Sequence, residues 1–397
     1  MPLDLPWIGL ILLLGALVTL VARRIGIPYA AGLVLAGLGL GLSPLPLQFA
    51  LSRELVFYGL LPPLVFEAAV HLRWSQLRRE LPLVTVLATV GVVLAAVVTA
   101  AGMVELAGWP LPAAVLFGFL IAATDPVSVI ATFKDAGVGG RLRLLLESES
   151  LLNDGTAAVA TGAALAWVAG TTATPGGIAL SLLTTVGGGL ACGAGVGVVL
   201  LLIAGRARDA FVEITLTTLA AYGSFLLAES WHLSGILAAV AAGLVAGNAP
   251  GLGRGGEAAR SALDSYWEYV AFTANSVIFL MLGSHAARQL PTQWFAALVA
   301  IALVMGGRAL AIYPLCALFA RSPLAVERRH QHVLVWGGLR GALALALALG
   351  LPETLPGREA VVTTTFAVVL CSILVQGLSM TALMRRLGIL PARTPPA

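Results

Sequence analysis

Charge is what this chain has least of. Asp, Glu, Lys and Arg make up 11% of its 397 residues, and lysine occurs once, at Lys134, against 22 arginines. A soluble globule carries about 25% charged residues, so a water-facing surface for a chain of this size could not be covered. Intrinsic disorder is excluded by the same shortage, because it needs a polar or strongly charged chain. A nucleic-acid-binding domain needs clustered positive charge. The sequence pI is about 9.2, yet the arginines stand in ones to threes between apolar runs, a pattern of topology and not of phosphate binding. Cysteine is scarce too. Cys192, Cys316 and Cys371 each sit alone in an apolar stretch with no CxxC, which leaves neither a disulfide framework nor a metal site. HExxH and GxSxG are both missing. The five histidines, His71, His232, His285, His330 and His332, fall at the ends of apolar runs or between them and read as solvated or interfacial groups. Of these, His330 and His332 are candidate pH sensors.

What the chain does have is apolar length. Residues of the apolar set make up 59% of it, with a mean hydropathy of +0.97, and a membrane-crossing helix needs about 20 of them in a row. Polar or proline-glycine interruptions divide the sequence into thirteen candidate spans, roughly 6–22, 27–46, 55–71, 82–104, 111–133, 148–169, 177–204, 210–230, 233–248, 264–285, 291–320, 332–350 and 360–384. The first run has no basic leader, and Arg23 and Arg24 follow it, so it reads as a span and not as a signal peptide. Lys and Arg gather on the cytoplasmic side of membrane proteins. Here the connections after odd-numbered spans hold 18 basic residues and the others only Arg53, Arg288 and Arg358. That asymmetry predicts an all-α polytopic protein of the cell membrane with its N-terminus outside and its C-terminus in the cytoplasm.

An ionisable residue at membrane depth costs a few kcal/mol or more unless it is paired or lines a wet cavity. Span 3 carries LLPPLVFEAAV with Glu67, and span 5 carries AATDPVSV with Thr124 and Asp125. Span 6 opens with ESESLLNDGTA, and spans 11 and 12 hold Arg308 and Arg340. Glu147 lies close to Arg141 and Arg143 and reads as a solvated charge at the rim. Proline after Asp125 breaks the helical hydrogen-bond ladder, which a bilayer tolerates only where backbone lines a cavity. In span 6 the helical period puts Ser150 and Asp154 on one face and Glu149 and Asn153 on another, one turn apart in each case. These are hard oxygen donors, suited to a small monovalent cation. Either Arg308 or Arg340 can neutralise Glu149, which leaves Asp154 as the carboxylate for which proton and cation compete.

Span order adds an independent argument. Span 5 is broken at TDP and span 12 at GGLRG. Their offset of seven is odd, so the two interrupted helices run in opposite directions, as in inverted repeats that cross at a midplane ion site. The same offset pairs span 4 with 11 and span 6 with 13.

At LLPPLVFEA (60–68), ATDPVSV (123–129), ESLLNDG (149–155), MGGRAL (305–310) and GLRGALALALAL (338–349), the sequence closely resembles the monovalent cation/proton antiporters of the sodium/proton exchanger type, including the prokaryotic NhaP-like members. Further stretches at 211–229 and 267–283 match in the same order. The resemblance implies a homodimer in which a core bundle, about 55–170 and 264–397, moves against dimerisation helices at about 1–50 and 177–250. It implies Asp154 as the ion and proton carrier with Asn153 beside it, Thr124 and Ser150 as hydroxyl ligands, Asp125 at the helix break, and Glu67 reaching the ion through water. Sodium is then held at Asp154, Ser150 and Thr124. Glu149 resembles the acid that pairs with Arg308, and Arg340 the residue that neutralises helix ends at the second break. The Asn-Asp pairing implies electroneutral exchange of Na+, or Li+ or K+, for H+. No cofactor is implied, and with about a dozen residues after span 13, neither is a regulatory tail. The alternatives are a K+/H+ antiporter of the same fold, or an uncoupled cation channel or sensor.

Overall fold

The computed structural model describes residues 5–43, 51–125, 127, 129, 130, 133, 138–170, 175–204, 209–248, 257–288 and 294–390. Among them there is helix and no strand. The helices are α1 (Leu5–Ile25), α2 (Tyr29–Leu42), α3 (Leu55–Val70), α4 (Trp74–Ala107), α5 (Leu111–Ala122), α6 (Arg141–Val168), α7 (Pro175–Ala204), α8 (Ala210–Ser230), α9 (Gly235–Asn248), α10 (Glu257–Arg288), α11 (Trp294–Leu318), α12 (Arg328–Trp336), α13 (Ala342–Leu349) and α14 (Arg358–Arg386). Each of the thirteen expected spans is occupied. Span 12 is the pair α12 and α13, and span 5 is α5 followed by residues that are helical again at Val127, Val129, Ile130 and Phe133.

Several helices begin well before their apolar stretch. α4 starts at Trp74 and not near 82, α6 at Arg141 and not near 148, and α10 at Glu257 and not near 264. Polarity marks where the bilayer ends, whereas backbone hydrogen bonding continues into water, so the first turns of these helices are amphipathic extensions. The sequence also gave no sign of three wide π turns, Leu55–Leu60 in α3, Leu87–Gly91 in α4 and Ser372–Gly377 in α14. The first of them lies just ahead of Pro62 and Pro63, which have no N–H to give to the preceding turn.

In lipid, helices associate through close packing more than through hydrophobic burial, so small residues mark the contacts. α2 and α10 make the most extensive helix contact. Gly37 and Gly41 of α2 lie directly on the Leu280 and Ser284 backbone, and Gly283 lies on Val34. α7 meets α9 in the same way through Gly189 and Gly193, set against Ser234 and Ala238. α9 in turn carries α3, with Gly243 and Gly247 against Phe66 and Val70. A separate set forms around the interrupted helices: α4 packs on α5 and α11, and the apolar α13 is buried along nearly its whole length. Outward faces expose leucine, including Leu13 and Leu17 of α1, Leu180 and Leu183 of α7 and Leu298 of α11. Together with the six helices among the described residues that are long and apolar enough to cross a bilayer, that belt makes this a multi-pass membrane protein.

Candidate ion-binding site

The site is built on two interruptions that touch. α5 stops at Ala122, and Ala123 to Asp125 run non-helically. The proline at 126 disfavours helical backbone at the residue before it, so the chain opens at Asp125. Between α12 and α13 the chain is likewise open from Gly338 to Gly341. The Asp125 N–H donates to the Leu339 carbonyl at 2.7 Å, joining the two breaks backbone to backbone. Both ends of the first break are capped by charge of the favourable sign. Arg340 Nη1 donates to the Ala122 and Ala123 carbonyls at 2.7 and 3.0 Å, the C-terminal end of α5. Asp125 Oδ1 accepts the Val127 N–H at 2.9 Å where helix resumes. The Arg340 N–H is held by Ser372 Oγ of α14 at 3.0 Å. Gly341 leaves room for all this, since a Cβ there would fall on the Asp125 carboxyl group.

α6 crosses beside the first break and clamps it. Asn153 Nδ2 donates to Thr124 Oγ1 at 2.6 Å and to Glu149 Oε1 at 3.0 Å, and its Oδ1 accepts the Thr124 N–H at 3.2 Å. Ser150 Oγ donates to the Thr124 carbonyl and accepts from Thr124 Oγ1 at 3.3 Å. Glu149 is buried and meets Arg308 of α11 in a two-pronged pair, 2.7 Å at each prong, while Arg308 Nη2 also donates to the Leu334 carbonyl of α12 at 3.1 Å. Arg308, not Arg340, is therefore the arginine on Glu149.

Asp154 is left differently. It is half-buried, and among the described residues its Oδ1 is buried without a hydrogen-bond partner. It lines a cavity of about 510 Å³ shared with Thr124, Asp125, Ser150 and Glu67. The exposed lining residues are His71, at the end of α3, and Ser265, Glu268 and Tyr269 in the third and fourth turns of α10, so the mouth lies there. Glu67 sits on the wall with Oε1 3.3 Å from His71 Nδ1. A buried, unpartnered carboxylate oxygen in a cavity that reaches solvent has a use for a cation or a proton, since leaving it bare is costly. Among the described residues no His, Cys, Asp and Glu cluster could hold a resident metal.

Three features escape a reading of residue types. Glu147, read above as a solvated rim charge, lies in the cavity wall and accepts from Arg143 Nε at 2.7 Å. Tyr29 and the buried Asn275 line the same cavity, and neutral polar groups in apolar runs give no sequence signal. His285, expected to be interfacial, stacks on Phe366 of α14 with ring centroids 4.5 Å apart. His332 is exposed in the middle of α12, with Nδ1 2.7 Å from the Tyr313 hydroxyl.

Comparison with known proteins agrees along most of the chain. The model of the family described as sodium/hydrogen exchanger, transmembrane, matches residues 9–386. A Na+/H+ antiporter of Aphanothece halophytica is 38% identical over 373 residues, covering 92% of this chain and 71% of that one. A Na+/H+ antiporter of Pseudomonas aeruginosa is 35% identical over 349 residues, covering 84% and 81%. Among solved structures, the sodium proton antiporter of Methanocaldococcus jannaschii superposes with a TM-score of 0.79 at 22% identity, covering 96% of this chain and 98% of that one.

Proposed function

Because the chain belongs to the sodium/hydrogen exchanger family, whose members are transporters and not enzymes, we propose that sodium and the proton take turns on one carboxylate, that of Asp154. The protein is a Na+/H+ antiporter of the multi-pass membrane type. The observation that carries the assignment to Asp154 is its buried Oδ1 without a partner, one turn and a residue from a glutamate already neutralised by Arg308. Thr124 and Ser150 offer hydroxyl oxygens to the same cavity, and Asp125 and Glu67 add carboxylates around it, Glu67 through water. Asn153 gives its amide to Thr124 and Glu149, so it positions the break against α6. One titrating carrier supports exchange of one cation per proton.

The packing suggests which parts move. α3 is seated on α9, and α10 on α2, so we assign both to the scaffold with α1, α2 and α7 to α9 instead of to the core bundle. The moving body is then α4 to α6 with α11 to α14, the two sets of spans that the offset of seven relates. Two such scaffolds form the homodimer. The cavity lies between the bodies, with Glu67 on the scaffold and Asp154 on the moving side. Its mouth is on the face of the basic connections, so with the N-terminus outside, the site opens to the cytoplasm. With Asp154 empty and charged the bundle does not cross readily, because an uncompensated charge costs about 2.3 kcal/mol per 100 mV. With a cation or a proton bound it does, and that links the two fluxes.

The test is proton movement in proteoliposomes under an imposed pH gradient, with sodium, lithium or potassium added in turn. Wild-type protein should collapse the gradient on adding sodium, and well-folded Asp154→Asn should not. Exchange retained by that variant would remove Asp154 from the mechanism. Cation flux with no proton movement would make the protein a channel.

A further inference from the structure

A guanidinium is an unexpected group in the wall of a cavity that takes up cations, yet Arg143 is there. α6 lines the cavity along a single stripe, Arg143, Glu147, Ser150, Leu151 and Asp154, whose spacings of three and four residues stack on one helix face. At 1.5 Å rise per residue, Glu147 lies about 10 Å and Arg143 about 16 Å along the helix from Asp154. A cation travelling from the mouth to Asp154 therefore meets Arg143 first. Arginine stays charged at any working pH, so left alone it would oppose that approach. Glu147 does not leave it alone: Arg143 Nε donates to Glu147 Oε1 at 2.7 Å, with the two side chains 28% and 14% exposed. Across the cavity stand Glu67 with His71, and Glu268.

We propose that the Arg143–Glu147 ion pair sets the affinity of the cavity for the transported cation. Glu147 cancels the repulsion of Arg143, and Arg143 in turn keeps Glu147 from holding the cation in the mouth. Neither residue touches the ion bound at Asp154; both set affinity through the potential at the site. The inference rests on the reading that Asp154 carries the cation. It requires the two halves of the pair to act in opposite directions, which a merely structural ion pair would not do.

The experiment is the sodium dependence of proton movement in inside-out membrane vesicles, which present the cavity mouth to added sodium, for wild type, Glu147→Gln, Arg143→Gln, the double variant and Asp154→Asn. Because Arg143 Nε and Glu147 Oε1 meet at 2.7 Å, the two charges act on the site from nearly the same place, and in a partly screened cavity the KM for sodium should rise about three- to tenfold in Glu147→Gln. It should fall by a similar factor in Arg143→Gln and return close to wild type in the double variant, with maximal turnover changing less than twofold. Raising ionic strength with choline chloride should shrink both shifts. If Glu147→Gln does not accumulate, Arg143→Gln and the double variant decide. Shifts of the same sign in both single variants, or no shift in either, overturn the proposal. An inactive Asp154→Asn beside unshifted pair variants overturns this inference alone, whereas an active Asp154→Asn overturns the reading beneath it.

Discussion

Glu149 and Asp154 sit five residues apart on one helix, and a single arginine gives them different work. Arg308 takes both oxygens of Glu149 at 2.7 Å in a buried pair, while Asp154 keeps a bare oxygen in the cavity. Removing one member of a buried pair strands the other charge and costs about 3–5 kcal/mol, whereas replacing both with apolar groups is often neutral. Arg308→Met is therefore expected to lower the thermal midpoint in detergent sharply, and Arg308→Met with Glu149→Leu to recover most of it. A double variant as unstable as the single would mean that Arg308 matters through its bond to the Leu334 carbonyl more than through Glu149. The residue pattern narrowed this pairing to two arginines, and only the family resemblance pointed to Arg308. Both stand in apolar runs beside paired glycines, and nothing local to either says which one reaches α6.

At the scale of the element, the interrupted helices were legible from TDP and GGLRG, where proline or glycine stands beside a charged residue at membrane depth. Proline or glycine alone does not suffice, since Pro82 of α4, Pro314 of α11 and Gly187, Gly188 and Gly189 of α7 lie inside continuous helix. How the breaks hold each other was not legible. Arg340 closes the last carbonyls of α5 from a segment more than 200 residues away in sequence, and Gly341 permits the approach of Asp125 by having no side chain. Arg340→Ala should leave those carbonyls buried without a donor, at about 1–3 kcal/mol, and Arg340→Lys should restore part of the loss because the charge at the helix end is kept. Thermal midpoints of the purified variants, read beside their exchange rates, test this. Equal loss in Ala and Lys would point to the planar guanidinium and not to its charge. Helix starts were misplaced by about two turns at α4, α6 and α10 for a related reason: the apolar pattern reports the bilayer, and the backbone ladder does not stop there.

At the scale of the whole molecule, the assignment of α10 to the scaffold and α14 to the moving bundle makes the contact between His285 and Phe366 a seam between bodies. With the three native cysteines replaced, cysteines at 285 and 366 joined by a short reducible cross-linker should arrest exchange, and reduction should restore it. Undiminished exchange in the cross-linked protein would mean that α10 travels with the bundle, as the sequence grouping of 264–397 had it. That grouping came with the family resemblance, and a sequence pattern does not record which helices share a glycine seam. Gly37 and Gly41 meet Ser284 only because the fold brings residues some 240 positions apart onto one contact.

The sequence by itself determined that this is a polytopic helical membrane protein, the number and places of its spans, the two interrupted helices, and the short set of polar residues that must be accounted for inside the bilayer. Those follow from transfer energetics and backbone chemistry, which act residue by residue. Only the tertiary structure decided which arginine meets Glu149, that Asp154 keeps an unpartnered oxygen, that Glu147 faces the cavity and not the rim, and which helices are seated on which. Each of these is a meeting of groups far apart in the chain, and a one-dimensional pattern of polarity carries no record of such meetings.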